Sequence, residues 1–176
     1  MRLRTWALRS LALCGTALLA AGCSTTTPGS PVASSTAPLE LFDPCGIPDD
    51  ALRSAGVDPA TEREGIAGAE FEGWKICRWE ATAGWYFMRV YSTSHSLDEM
   101  QRNTEFTRFS STAAGTRDGV TAVNVGREAE TCNFGFAVAQ GLIMVSVAAR
   151  SQVATPEDPC TTAILRTKDL DNELPR

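Results

Sequence analysis

Four cysteines, Cys45, Cys77, Cys132 and Cys160, are spread along the body of the chain with no two close together. Structural zinc sites draw their thiolates from Cys-x2-Cys pairs, and redox-active disulfides draw theirs from Cys-x-x-Cys. Neither spacing occurs here, so no metal is expected and the four thiols read as structural. An even set of cysteines outside the cytosol implies two disulfides, and four cysteines allow three connectivities. The favoured one is Cys45–Cys77 with Cys132–Cys160. Each of those bonds would tie a helix start to the strand nearest it in sequence and close a loop of about 30 residues, worth roughly 3–4 kcal/mol if chain entropy dominates.

The first 23 residues bear on the compartment. Met1 to Arg9 carries Arg2, Arg4 and Arg9 and no acid, and an apolar run from Leu11 to Ala21 follows. That run is about half of the roughly 20 residues a membrane-spanning helix needs, and it has the proportions of a signal-peptide core. It ends in Leu19-Ala20-Ala21-Gly22-Cys23, which resembles a bacterial lipobox. The resemblance implies cleavage after residue 22 and a diacylglyceryl group, often with a further acyl chain, on Cys23. Two or more chains anchor stably where one does not. The expected location is therefore the extracytoplasmic face of the cell membrane, held by lipid on Cys23.

Residues 24–38 are dominated by Ser, Thr and Pro and have almost nothing apolar to bury, so they read as a tether reaching roughly 20 Å as a coil and about 45 Å when extended. No comparable segment recurs, and residues 39–176 read as a single domain. The whole chain has a net charge of -5; without Arg2, Arg4 and Arg9, 13 basic and 21 acidic side chains remain, a charge of -8. This is the wrong sign for neutralising nucleic-acid phosphates or adhering to anionic lipid.

Within the domain, helix and strand signals alternate. Pro48 to Gly56 reads as a short helix with acids in its first turn and Gly as its stop. Trp74–Ala81 and Trp85–Ser94 read as a hairpin of aromatic and branched residues. Ser96-Leu97-Asp98-Glu99 is a capping box that opens a helix to about Phe109. Ser110–Gly119 reads as a loop. Three further strands follow at Val120–Val125, Cys132–Val138 and Leu142–Ala149. Asp158 and Pro159 open a last helix, with Cys160, Ala163, Ile164, Thr167 and Leu174 on its inner face and Arg166, Lys168 and Asp169 in water. The expected fold is α+β, an antiparallel sheet of about five strands with helices packed on it and two disulfides.

Chemistry is sparse. His95 is the only histidine, and no nucleophile elbow, phosphate loop or calcium-loop spacing occurs. The acidic pairs are ordinary for a surface with 21 acids. No catalytic residue and no cofactor is expected. Aromatic residues are the more informative feature, with Trp74, Trp79 and Trp85 followed by Tyr86, Phe87 and Tyr91. On a strand Trp79 shares the face of Cys77 and belongs to the core, whereas Trp74 lies on the other face. Trp74, Trp85, Phe87 and Tyr91 are the candidate contacts for a ligand or partner.

Asp43-Pro44-Cys45 before a short helix ending in Gly56, followed by Cys77-Arg78-Trp79, together with the lipobox and tether, resembles a family of actinobacterial lipoproteins known as a domain of unknown function. The resemblance implies a compartment and disulfides but no activity. Its layout is also loosely similar to the disulfide-bonded extracellular sensor domains of mycobacterial kinases. The expected function is that of a non-catalytic binding module of the cell envelope, acting on an envelope protein or a small ligand. The alternative is an inhibitor or immunity-type protein that blocks an envelope-acting enzyme, with Ser110–Gly119 as a loop projecting into its cleft.

Overall fold

A computed structural model describes residues 40–176. The signal segment, Cys23 and the tether lie outside the described residues. The tripeptide Asp-Pro-Cys starts the architecture twice. Asp43 accepts from the Cys45 amide at 3.0 Å and opens a 3-10 turn, Pro44–Gly46. Asp158 accepts from the Thr161 amide at 2.8 Å and opens α3, Pro159–Asp169. In both places the carboxylate satisfies an orphan amide and Pro supplies a ready-made backbone angle. The cysteine that follows is then turned towards the sheet, giving the disulfides Cys45–Cys77 and Cys132–Cys160, with Cα atoms 5.3 and 4.9 Å apart.

The sheet has seven strands rather than about five, all antiparallel. They are β1 Val57–Glu64, β2 Trp74–Ala81, β3 Tyr86–Thr93, β4 Phe106–Ala114, β5 Arg117–Asn124, β6 Thr131–Val138 and β7 Gly141–Ala149, in the spatial order β1-β2-β3-β7-β6-β5-β4. The five strands read from the sequence are the inner ones, β2, β3, β5, β6 and β7. The two additions are the edges. β4 and the first part of β5 occupy the stretch expected to be a helix end and a loop. Helix α2 stops at Arg102, spanning only Leu97–Arg102, although its capping box is formed as expected by Ser96 and Glu99.

One face of the sheet carries the main core. Trp79, Met88, Val90, Phe134, Val145 and Val147 pack there with Leu52 of α1 (Asp49–Ser54) and with Ala163 and Leu170 from α3 and the turn after it. Trp79 is fully buried, and its indole N–H donates to Glu62 Oε2 at 3.2 Å, so its one polar atom is satisfied. Arg166, expected in water, turns inward instead: it donates to the Ala55 carbonyl at 3.0 Å and pairs with Asp169 at 2.8 Å. Among the described residues, no helix is long and apolar enough to cross a membrane.

The opposite face is covered only in part. Helix α2 seats Met100 on it, and Gly135 is the reason it can. A Cβ built at Gly135 would lie 2.7 Å from Met100 Sδ, closer than real contacts allow. Met100, Ala122, Leu142 and Met144 form a second, smaller core there. Among the described residues, no further helix covers the remainder of this face.

Candidate functional site

Strand alternation decides which side chains reach the open face. Trp74 and Ile76 of β2, Arg89 and Tyr91 of β3, Met144, Ser146 and Ala148 of β7 and Thr131 and Asn133 of β6 all project to it. They form the floor of a cleft of about 480 Å³, walled by Phe106 and by Ile66 and Phe71 of the β1–β2 connection. Ile66 and Phe71 are 43% and 47% exposed, so the rim presents apolar surface to solvent. A hollow of about 290 Å³ adjoins the cleft beneath α2. It shares Trp74, Asn103, Phe106 and Met144 with the cleft and adds His95, Glu99, Met100 and Leu142.

Trp74 is the hinge of the aromatic arrangement. Its ring meets Tyr91 edge-on at 6.2 Å between centroids and His95 at 5.5 Å. Burial pushes the Tyr91 phenol above its ordinary pKa, with the Arg89 guanidinium opposing the rise, so it stays protonated and can donate. The cleft thus combines an apolar floor with a few fixed polar groups. Asn133 is held from below, its Nδ2 donating to the Asn124 side chain at 3.0 Å and the Ala122 carbonyl at 3.3 Å.

Of the four expected contact residues, Trp74 and Tyr91 lie in the cleft. Phe87 is on the same face but is capped by two guanidinia, Arg78 at 4.6 Å and Arg150 at 4.9 Å, and it does not line the cleft. Trp85 is a correction. It is 4% exposed, packed against Tyr86 at 4.6 Å within the main core. The cause is local: β3 begins at Tyr86, so Trp85 belongs to the turn after Gly84, whose φ of 78° breaks the alternation. The ring is thereby free to fold back onto the core side. Ile76, Phe106 and Met144 were not singled out in the sequence, since their roles depend on which strands become neighbours. Arg78 and Arg89 carried a usable signal, each being a charge set singly among buried apolar strand positions.

His95 is half-exposed, with Nδ1 3.5 Å from Glu99 Oε1. The hydrogen bonds from the Ser96 backbone and hydroxyl, with a lesser one from His95, hold the Glu99 carboxyl below its ordinary pKa, so this carboxylate serves the helix cap. The ligand atoms of Cys45, Cys77 and Glu62 lie within 4.8 Å of one another, but both sulfurs are spent in a disulfide and cannot ligate a metal as thiolates.

No curated protein and no solved structure matches the chain. A family match covers residues 18–171, which includes every strand and helix described above. The chain belongs to that family, described as "Protein of unknown function (DUF3558)".

Proposed function

We propose that this protein is a lipid-anchored, extracytoplasmic binding module without catalytic activity, whose ligand occupies the aromatic cleft on the open sheet face. The cleft itself carries the reading. Its volume of about 480 Å³ falls in the range of small-molecule sites, roughly 300–1,000 Å³. Its walls converge on Trp74 and Tyr91, and its only histidine neighbour stands beside a carboxylate engaged in a helix cap. The lipobox at residues 19–23 and the Ser/Thr/Pro-rich residues 24–38 support a domain held at the membrane on a spacer.

The inhibitor reading needs a projecting Ser110–Gly119 loop. That segment is instead a β4–β5 hairpin whose turn is tied down, Thr116 donating to Asp171 at 2.8 Å and Arg117 bonding the chain end. The binding reading is the one favoured.

Two measurements test it. Detergent-phase partition of the protein made in its native envelope should show the wild type with membranes and Cys23→Ser in the aqueous phase. Native mass spectrometry of the gently extracted protein should show a co-purifying small molecule that Trp74→Ala loses. An aqueous wild type refutes the anchor, and a bound molecule indifferent to Trp74→Ala refutes the cleft.

A further inference from the structure

Arg63, Arg78 and Arg89 stand side by side on three adjacent strands. Arg63 opposes Arg78 across β1–β2, and Arg78 opposes Arg89 across β2–β3. Directly opposed residues of antiparallel strands share a face with Cβ atoms about 4.5–5.5 Å apart, and like charges so placed destabilise the sheet. Among the described residues no ion pair joins any of the three to a carboxylate, although Arg63 donates to the Glu62 carbonyl at 2.6 Å. Three acids on the same strands are engaged elsewhere. Glu62 accepts from the Trp79 indole, Glu80 pairs with Arg150 at 2.9 Å, and Glu64 opposes Cys77 and so belongs to the other face.

Two further observations point outward from the row. Among the described residues, Arg78 Nε is buried without a hydrogen-bond partner, although the same guanidinium stacks on Phe87. A buried, unpaired donor on a charged group is costly and calls for an acceptor. The three arginines also line one hollow of about 180 Å³ with Gly65, Ile66 and Ala67. Arg89 and Ile66 border both this hollow and the aromatic cleft, so the two adjoin. From Arg89 the polar row runs on across the cleft floor through Ser146 and Asn133.

We propose that the cleft takes a small amphipathic anion, its carboxylate or phosphate held by the Arg63–Arg78–Arg89 row and its apolar body lying along Ile76, Tyr91, Met144 and Trp74. This rests on the cleft being the binding site and adds the chemical class of the ligand. Guanidinium forks match the geometry of both head groups. In a chain of net charge -5, the row is the feature that would draw an anion to this face.

The test uses the isotope-labelled, processed full chain in nanodiscs of zwitterionic lipid, titrated separately with hexanoate, hexyl phosphate, hexanol and inorganic phosphate. The NMR signals followed are the Trp74 indole N–H and the Nε–H groups of Arg63, Arg78 and Arg89. At least one of the two amphipathic anions should saturate both sets of signals at least about tenfold below hexanol, a difference within the reach of one charge-assisted hydrogen bond. Arg78→Gln and Arg89→Gln should each abolish that preference while leaving hexanol binding in place, Arg78→Lys should restore part of it, and Arg53→Gln on α1 should leave it unchanged. Whichever anion saturates lower identifies the head group. Hexanol matching the anions, or both Gln variants keeping the preference, overturns the anion inference and leaves the cleft standing. Inorganic phosphate binding as tightly as hexyl phosphate overturns the amphipathic part. If no titrant moves the Trp74 signal, the cleft reading itself fails.

Discussion

Arg117 Nε–H donates to the Asp171 carboxylate at 2.5 Å, joining the start of β5 to the turn beyond α3. The same guanidinium donates to the carbonyls of Asp171, Leu174 and Pro175 and lies 4.6 Å above the Phe136 ring. With a side chain only 5% exposed, Arg117 is a buried cation whose donors are spread over the chain end. Three backbone carbonyls of the irregular segment after α3 thus find donors that the segment does not supply for itself.

Removing one member of a buried pair strands the other, at a cost of about 3–5 kcal/mol. Arg117→Ala should therefore lower the unfolding free energy by roughly that amount in urea denaturation. Arg117→Lys should recover only part of the loss, because an ammonium cannot reproduce the fork that serves the carboxylate and three carbonyls together. A Lys variant as stable as wild type would contradict this account.

The same pair shapes the response to acid. Desolvation raises the Asp171 pKa, but the Thr116 hydroxyl and the Arg117 and Arg176 guanidinia outweigh it, leaving the carboxyl below its ordinary value. A carboxyl depressed in the folded state binds fewer protons there than in the unfolded chain. Its stabilisation is full above the unfolded pKa of about 3.9 and disappears as pH falls through the lower folded value. Stability should fall below about pH 4, and Asp171→Asn should flatten that part of the curve, as read from denaturation midpoints against pH.

Each disulfide closes a loop of about 30 residues, and its loss should cost roughly 3–4 kcal/mol. Non-reducing peptide mapping should recover Cys45 with Cys77 and Cys132 with Cys160. The Cys132→Ser/Cys160→Ser variant should release α3 from β6, which hydrogen exchange would register as faster exchange along that helix. The Cys45→Ser/Cys77→Ser variant should leave α3 protected.

Gly135→Ala forces a methyl into Met100 Sδ. Overpacking costs about 1–3 kcal/mol, and the low end is expected here because the obstructing atom is the far end of the flexible Met100 side chain, which can swing aside. The change should lower the thermal midpoint and should also shift the Trp74 indole signal, because α2 and Trp74 border the same hollow.

Two tryptophans at either end of the β2–β3 hairpin, Trp74 opening β2 and Trp85 in its turn, should part company on mutation. Trp85→Ala empties a core position and should cost about 3–5 kcal/mol. Trp74→Ala, at a half-buried position lining the cleft, should cost much less stability while removing ligand binding. Equal stability losses at the two positions would refute the division between core and cleft.

Much of the fold was legible because inner strands advertise themselves. Cys132–Val138 and Leu142–Ala149 are buried on both faces or nearly so, and their apolar runs say so directly. The helix starts were legible from Asp158-Pro159 and Ser96-x-x-Glu99, whose side chains do in the structure what their chemistry suggests. β1 and β4 were not. Val57-Asp-Pro-Ala-Thr-Glu-Arg-Glu and Phe106-Thr-Arg-Phe-Ser-Ser-Thr-Ala-Ala are mostly exposed, so no alternation of apolar residues marks them. Their strand state comes from a neighbour's unpaired hydrogen-bonding groups, which no local window contains.

The candidate site divides in the same way. Trp74 and Tyr91 could be found because an aromatic on the face opposite Cys77 must either be covered or serve something. The arginine row could not, since Arg63, Arg78 and Arg89 become neighbours only through the registers of three strands. Trp85 escapes strand alternation because it stands in the turn before β3, one residue outside the strand.

The two edge strands have a consequence beyond the single molecule. An unpaired strand edge is a template on which another chain can lay a strand. Here β1 carries Pro59, which has no amide proton to offer, and its register shifts between Asp58 and Arg63. β4 shifts register between Thr107 and Ser110, with Arg108 at φ 54°. Irregular edges of this kind are poor templates. Copies crowded together would find neither border of the sheet easy to extend, and the protein gains resistance to edge-to-edge aggregation from the two strands that were hardest to see.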